Sequence, residues 1–285
     1  METTFSEKIA LITGTSSGVG LSTAIQLAQS GFTVIATMRN TTKADALQAR
    51  AQEADVQIEV RQLDVQQETS VATCVQEVIK NHGRIDVLVN NAGMGYLGSL
   101  EQTSTESLRQ IMETNFFGVW RVTQAVFPLM RTARSGRILT VTSLGGLIGQ
   151  PFNDAYCAAK FAVEGFMESL APVAKRLGVE VSMIEPGAIN TAFVGSVQAL
   201  LSESTWEPQE GYGPMLESYL TMTQQVFASA GQTPDEVARV IVEAATTETP
   251  HFRYTTSEPV RGLISRKYVD PTGDSIIALT GARLP

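Results

Sequence analysis

Ile9-Ala10-Leu11-Ile12-Thr13-Gly14-Thr15-Ser16-Ser17-Gly18-Val19-Gly20-Leu21 is the stretch that decides the fold. An unbroken apolar run gives way to a glycine-rich turn, and a helical pattern begins at about Leu21. A strand that is apolar at successive positions is covered on both faces, as a parallel strand between two helical layers must be. Glycines let backbone amides approach a diphosphate, and a helix N-terminus adds partial positive charge for the anion. The spacing is G-x3-G-x-G rather than the commoner dinucleotide fingerprint G-x-G-x-x-G. It lacks the Gly-Lys-Ser/Thr ending of a nucleoside-triphosphate loop, so that reading fails. Taken alone, the segment is equally a glycine turn between strand and helix. Its place at the first strand–helix junction favours a nucleotide, held by Gly14, Ser16, Ser17, Gly18, Val19 and Gly20.

Outward from this unit the alternation recurs. β-rich apolar runs stand at Thr33–Thr37, Ile58–Gln62, Val87–Asn90, Arg137–Thr142 and Glu180–Glu185. Helical patterns separate them, at Leu21–Gly31, Thr69–His82, Glu106–Met130 and Ala155–Leu177. Strand-then-helix repetition predicts βαβ units and a doubly wound parallel sheet of the α/β class. Gly31, Gly83 and Gly178 each follow a helical pattern, where a left-handed C-cap favours glycine. Pro172 falls inside the last pattern, where a missing amide predicts a kink, and a tolerated bend is the favoured form of it. After Thr191 the pattern changes, with Phe193, Trp206, Tyr212, Met215, Tyr219, Met222 and Phe227 scattered among Ser, Gln and Glu. Thr233–Thr246 reads as a helix opened by a capping box of Thr233 and Glu236 with Pro234 in its first turn. His251–Thr256 reads as a last strand. No repeat or linker divides the chain. Residues 1–285 are therefore expected to form a single domain, with a core at 8–191, a substrate lid at 192–233 and a closing helix, strand and tail at 234–285.

The 285 residues carry 21 Lys and Arg against 29 Asp and Glu, a net charge of −8. That balance argues against a nucleic-acid partner, which needs clustered cations. Cys74, Cys157, His82 and His251 are too scattered to suggest a metal site, and none is expected. Met1–Lys8 has no apolar signal-peptide core. There is no apolar run of the ~18 residues a membrane span needs. The expected location is cytoplasmic.

Which dinucleotide is bound is readable from the end of the second apolar run. A chain that selects NAD places Asp or Glu about 20 residues beyond the glycines, on the ribose hydroxyls. Here Arg39 stands at that place, 19 residues after Gly20. A guanidinium suits a 2′-phosphate by charge and bidentate geometry, so NADP(H) is expected over NAD(H).

Tyr156 and Lys160 are spaced i, i+4 in a helical pattern and so share a face. A free Tyr titrates near ~10; a neighbouring ammonium stabilises the phenolate and is expected to lower that value. Tyr156 then suits a general acid for ketone reduction and a base for alcohol oxidation. Ser143 follows an apolar run at the carboxyl edge, where ligands bind in parallel sheets, and its hydroxyl can hold a substrate oxygen. Asn115 is polar in an apolar helical setting and needs partners. A structural role satisfying a helix backbone fits it as well as a catalytic one.

Together these residues resemble the short-chain dehydrogenase/reductase family. Thr13-Gly14-x3-Gly18-x-Gly20 is similar to its cofactor loop, and Leu63-Asp64-Val65 to its adenine-side motif. Asn90-Asn91-Ala92-Gly93 resembles its fourth-strand motif, and Pro186-Gly187-Ala188-Ile189-Asn190-Thr191 its nicotinamide segment. Asn115, Ser143, Tyr156 and Lys160 match its catalytic tetrad. The resemblance spans 8–191 and implies a single-domain Rossmann fold. Asp64, Val65, Asn91, Ala92, Gly93, Pro186, Gly187, Ile189 and Thr191 would then join the glycine loop and Arg39 on the cofactor, with Tyr156 and Lys160. It also implies that Tyr156 passes a proton, Lys160 lowers its pKa and binds the nicotinamide ribose, Ser143 orients the carbonyl and Asn115 holds a water. Hydride would move directly between nicotinamide and substrate.

Residues 145–157, Ala36-Thr37-Met38-Arg39 and the tail look like the 17β-hydroxysteroid/retinol dehydrogenase-like branch, which implies NADP and bulky apolar alcohols or ketones. The lid segment lacks the histidine with which steroid dehydrogenases of that branch grip the far end of a steroid, so the resemblance carries the chemistry but not a steroid. Met94, Tyr96, Leu144, Phe152 and Phe193 are expected to wall the pocket beside Ser143 and Tyr156, although core or lid packing would account for each equally well. The expected function is an NADP(H)-dependent carbonyl reductase, assembled by family resemblance as a homodimer or homotetramer. Two alternatives stay open: a 3-oxoacyl-thioester reductase, and a non-catalytic NADP-sensing or scaffold protein.

Overall fold

A computed structural model describes residues 8–190, 212–267 and 270–275, without the side chains of 266 and 267. Its centre is a seven-stranded, all-parallel sheet in the order β3-β2-β1-β4-β5-β6-β7. The strands are β1 (Ile9–Thr13), β2 (Thr33–Met38), β3 (Ile58–Gln62), β4 (Val87–Asn90), β5 (Gly136–Val141), β6 (Val179–Glu185) and β7 (Arg253–Thr255). The helices are α1 (Gly18–Gln29), α2 (Asp45–Glu53), α3 (Glu68–His82), α4 (Thr105–Met112), α5 (Gly118–Ala133), α6 (Asp154–Arg176), α7 (Tyr212–Ala230), α8 (Pro234–Thr246) and α9 (Glu258–Lys267).

Strand residues alternate faces, and both faces are covered. Ile9 and Leu11 of β1 enter one apolar cluster with α3, α5 and α6. Ala10 and Ile12 enter the other, with α1, α2 and α8. This two-sided burial is the physical reason for the unbroken apolar runs. The strand order reverses between β1 and β4, and in such sheets ligands bind at that switch point, off the carboxyl ends. Among the described residues, no helix is long and apolar enough to cross a membrane.

Local signals held where their chemistry was local. Gly31, Gly83 and Gly178 adopt φ of +86, +75 and +81°. Thr233 and Glu236 form the reciprocal capping box with Pro234 at the first turn of α8. Cys74 and Cys157 are free and buried. Pro172 lies inside α6, where its pattern placed it, and the helix runs on to Arg176. Other expectations are corrected. Glu106–Met130 is not a single helix: a π-helical turn at Glu113–Phe117 separates α4 from α5. Helix α2 was not expected, because its apolar face amounts to Leu47 and Ala51. Part of the span read only as a lid is the helix α7.

Candidate active site

The cofactor end is built from bare backbone. Gly14 has φ +73°, and a Cβ on it would lie 2.8 Å from the Cα of Ala92. A Cβ on Gly20 would lie 2.3 Å from the Gly14 carbonyl oxygen and 2.4 Å from Nδ2 of Asn91. Only glycine permits this approach. Asn91 Nδ2 donates to the carbonyls of Thr13 and Gly14, both at 2.9 Å. The amides of Asn91 and Ala92 donate to Thr13 Oγ1, each at 3.0 Å. The carboxyl ends of β1 and β4 are thereby stitched together. Helix α1 starts at Gly18; Ser17 before it is extended and makes no side-chain cap, and no acidic residue stands in the first turn. Ser16 is half-buried, Ser17 exposed and Val19 buried.

The other residues expected on the adenine side lie along the same edge. Arg39 is exposed just past β2, and its carbonyl accepts from Gln62 Nε2 at 3.3 Å. Asp64, just past β3, accepts from the Gln66 amide at 3.0 Å. Val65 is buried against Gly118, where a Cβ would come within 2.8 Å of it. A bare loop running into an uncapped helix N-terminus at the switch point, with a cation on the neighbouring strand end, fits a dinucleotide.

The catalytic end assembles on the adjoining strands. Ser143, two residues beyond β5, accepts from the Gly145 amide at 3.0 Å and is hydrogen-bonded to the Tyr156 hydroxyl. Tyr156 sits in the first turn of α6, and Lys160 stands one turn further on. The buried Lys160 ammonium donates to the Val141 carbonyl at 3.0 Å and lies 5.8 Å from the Tyr156 ring centroid. Asn115 is fully buried in the π-helical turn. Its Oδ1 accepts from the Met94 amide and its Nδ2 donates to the Met94 carbonyl, both at 2.8 Å. The backbone it satisfies is the loop after β4, not its own helix. A Cβ on Gly93 would lie 3.2 Å from Asn115 Oδ1 and 3.8 Å from Lys160 Nζ, so this loop reaches both groups through a glycine.

The electrostatics correct one expectation. Burial pushes Tyr156 up to about 12, against a smaller downward pull from the Ser143 hydrogen bond. Burial likewise pushes Lys160 down to about 8, opposed by the Glu164 charge. The lowering of the phenol expected from the i, i+4 spacing does not appear: removal of the phenolate from water dominates, and the downward pull on Tyr156 comes from Ser143. Tyr156 keeps its proton at neutral pH, which is the state an acid needs.

Beyond β6, the buried Pro186 carbonyl accepts from the Leu144 amide at 2.8 Å, linking the nicotinamide segment to the Ser143 loop. A Cβ on Gly187 would lie 2.7 Å from Val260, and Ile189 bridges to Gln232. Thr191 and Phe193 lie outside the described residues. Of the expected pocket wall, Met94 and Tyr96 pack against Ile111, Ala155 and Ala159, and Leu144 packs against Leu147, Val260 and Ile264. Phe152 has φ +59°, uncommon for an aromatic residue. Its ring lies 5.7 Å from that of Tyr219 and 6.4 Å from that of Tyr212 on α7. Asn153 Nδ2 donates to the Tyr219 hydroxyl at 2.8 Å, so α7 is joined to the loop preceding Tyr156.

Sequence reasoning missed Asn153 with Tyr219, and it missed a buried group of Thr142, Glu164, Glu185 and Arg253. A carboxylate closing the apolar strand β6 was the available signal for the second. Nothing local pointed to its arginine.

A family model described as short chain dehydrogenase matches residues 8–200. The chain is 39% identical over 279 residues to retinol dehydrogenase 8 of Homo sapiens, covering 96% of this chain and 89% of that protein. It is 39% identical over 275 residues to 17-beta-hydroxysteroid dehydrogenase type 1 of Homo sapiens, covering 94% and 83%. Among solved structures, a short-chain dehydrogenase from Streptomyces avermitilis superposes with a TM-score of 0.79 at 31% identity, covering 93% of each chain.

Proposed function

The chain belongs to the short-chain dehydrogenase family, and from that premise we propose that it is an NADP(H)-dependent oxidoreductase of hydrophobic ketones, aldehydes and the matching secondary alcohols. The observation that carries the reading is the meeting of Ser143, Tyr156 and Lys160 at the sheet edge that also bears the glycine loop. A nicotinamide bound there supplies or accepts the hydride at the carbonyl carbon. The chain's own residues do the rest. Ser143 holds the carbonyl oxygen, and Tyr156 delivers its proton to that oxygen during reduction. Lys160 stabilises the phenolate left behind, and Asn115 fixes the Met94 loop against the Lys160 side of the site. Orientation and electrostatics are the protein's share of the catalysis.

The preference for NADP(H) rests on Arg39, an exposed cation where NAD-selecting chains place a carboxylate. Residues 192–233 are proposed to cover the substrate. The aromatic lining available from Phe152, Tyr212 and Tyr219 favours an apolar body on it. Phe117, Trp120 and Phe161 are exposed on the helices that carry Asn115 and Tyr156. They support a homodimer or homotetramer assembled on that face, and a monomer mass by light scattering would overturn it.

The test is NADPH oxidation against apolar ketones, retinal, steroids and acyl thioesters, together with NADPH and NADH affinities. Turnover of the apolar carbonyls is expected. Activity confined to thioesters, or tight NADPH binding with no turnover, overturns the reading. Arg39→Asp is expected to weaken NADPH by about 1.5–3 kcal/mol, the worth of a charge-assisted hydrogen bond. NADH bound more tightly than NADPH by the unmutated chain would refute the cofactor assignment.

A further inference from the structure

Glu164 stands one turn beyond Lys160 on α6 and is buried. Its Oε1 accepts from Thr142 Oγ1 at 2.5 Å, and its Oε2 from Arg253 Nη1 of β7 at 2.5 Å. Arg253 also donates to Glu185 Oε1 at the end of β6, at 2.5 Å, and to Glu168 Oε2 on α6, at 2.7 Å. A Cβ on Gly146 would lie 3.0 Å from Glu164 Cγ, so the loop after Ser143 settles on this side chain because residue 146 has none. Glu164 therefore joins the end of β5 directly, through Thr142, and the end of β6 by way of Arg253 and Glu185. Thr142 directly precedes Ser143, Glu185 directly precedes Pro186, and Lys160 is on its own helix.

The charges in this cluster do not balance by themselves. Three carboxylates, Glu164, Glu168 and Glu185, meet one guanidinium. Burial pushes Glu185 up to about 8, so it keeps its proton at neutral pH, and its Oε2 has no partner among the described groups. Burial pushes Glu164 up as well, and the Arg253 charge and the Thr142 hydrogen bond pull it back toward the carboxylate; as carboxylates, Glu164 and Glu168 exceed Arg253 by one negative charge. The cation one turn away is Lys160, whose ammonium donates to an uncharged carbonyl, that of Val141.

We propose that Glu164 is a positioning residue: it supplies a carboxyl group one turn from Lys160 on the buried face of α6 and, through Thr142 and Arg253, holds the Ser143 and Pro186 loops around that side chain. The assignment of a catalytic part to Lys160 rests on the function proposed above; the electrostatic link to Glu164 does not. Burial works to discharge Lys160 and the Glu164 charge works against it. Arg253 is the side chain by which the last strand, β7, joins this cluster.

The test reads Lys160 directly, without turnover. The chain has six lysines, so a spectrum of [ε-13C]lysine-labelled protein is sparse, and Lys160 is identified by its loss in Lys160→Met. In Glu164→Gln the Lys160 inflection is expected to fall by about one pH unit, as for loss of a nearby opposite charge. Glu168→Gln, which leaves Thr142 and Glu164 in place, is expected to move it less. An inflection unmoved in Glu164→Gln, or moved no further than in Glu168→Gln, overturns the proposal. A merely structural role would change the melting temperature and leave the inflection alone.

The coupling is reciprocal, which gives a second measurement that does not need Glu164→Gln to fold. In Lys160→Met the abandoned Glu164 carboxylate takes up a proton more readily. The stability of that variant relative to the wild type is then expected to rise as the pH falls from about 7 to about 5, below the range in which Lys160 itself titrates. A difference independent of pH overturns the proposal. A wild-type chain that turns over no carbonyl substrate but shows both effects would refute the proposed function and leave this link standing.

Discussion

α6 and α7 are helices of comparable length, 23 and 19 residues, held in the protein in opposite ways. α6 sinks Ala159, Lys160, Val163, Glu164 and Met167 into the core and ties its far side to β7 through Arg253. α7 buries Leu216 and leaves Met215, Met222 and Val226 exposed. Its link to the catalytic loop is the Tyr219–Asn153 hydrogen bond and ring packing on Phe152. The division fits the parts proposed above for the two helices, proton transfer for α6 and substrate cover for α7. Proton transfer depends on sub-ångström placement, which only a close-packed element supplies. A segment that covers a substrate must move aside to admit it, and such segments come from the weakly held end of a fold.

The contrast is open to attack at four points. Tyr156→Phe keeps the ring of α6 and removes its proton. It is expected to lower kcat by about 10²–10⁴-fold, the usual worth of a positioned acid, with NADPH affinity retained by fluorescence titration. Full activity would remove Tyr156 from the mechanism. Next in size, Met167→Ala in the fully buried face of α6 is expected to cost about 2–5 kcal/mol in denaturant unfolding. A cost near zero would mean that α6 is not the rigid member of the pair.

Glu185→Gln comes third. The wild-type carboxyl is raised from 4.5 to about 8 by burial, so between those values the folded chain holds a proton that the unfolded chain has lost. Its contribution to stability is complete below the unfolded value and is lost as the pH rises through the folded one. The slope is at most about 1.4 kcal/mol per pH unit. Gln cannot ionise, so the variant should lose this decline in urea titrations from acid to mildly alkaline pH. An unchanged slope would show that the cluster beneath α6 does not hold this proton. The smallest effect belongs to α7. Tyr219→Phe removes the hydrogen bond from Asn153, worth about 0.5–1.5 kcal/mol, and should change KM more than kcat. A kcat loss rivalling that of Tyr156→Phe would erase the distinction between the two helices.

The same distinction marks what was legible in the chain. Runs such as Ile9–Thr13 and Val87–Asn90 announced buried parallel strands, because two-sided burial writes itself into consecutive residues. Thr233 with Glu236, and Gly83 with its positive φ, were readable because a cap is made within a few residues of itself. The π-helical turn at Glu113–Phe117 was not. It accompanies the hold of Asn115 on the Met94 backbone, 21 residues back along the chain. Helix α2, with Leu47 and Ala51 as its buried residues, offered too little periodicity to read.

By itself the sequence determined the succession of strands, the glycine loop, and the i, i+4 pairing of Tyr156 with Lys160. All of these follow from short-range geometry and from which faces are apolar. The tertiary structure decided the charges. It set the direction in which Tyr156 and Lys160 shift, and it brought Arg253 to Glu164 across 89 residues of chain. Desolvation and Coulomb attraction depend on which atoms surround a group in space, and neighbours along the chain do not reveal that.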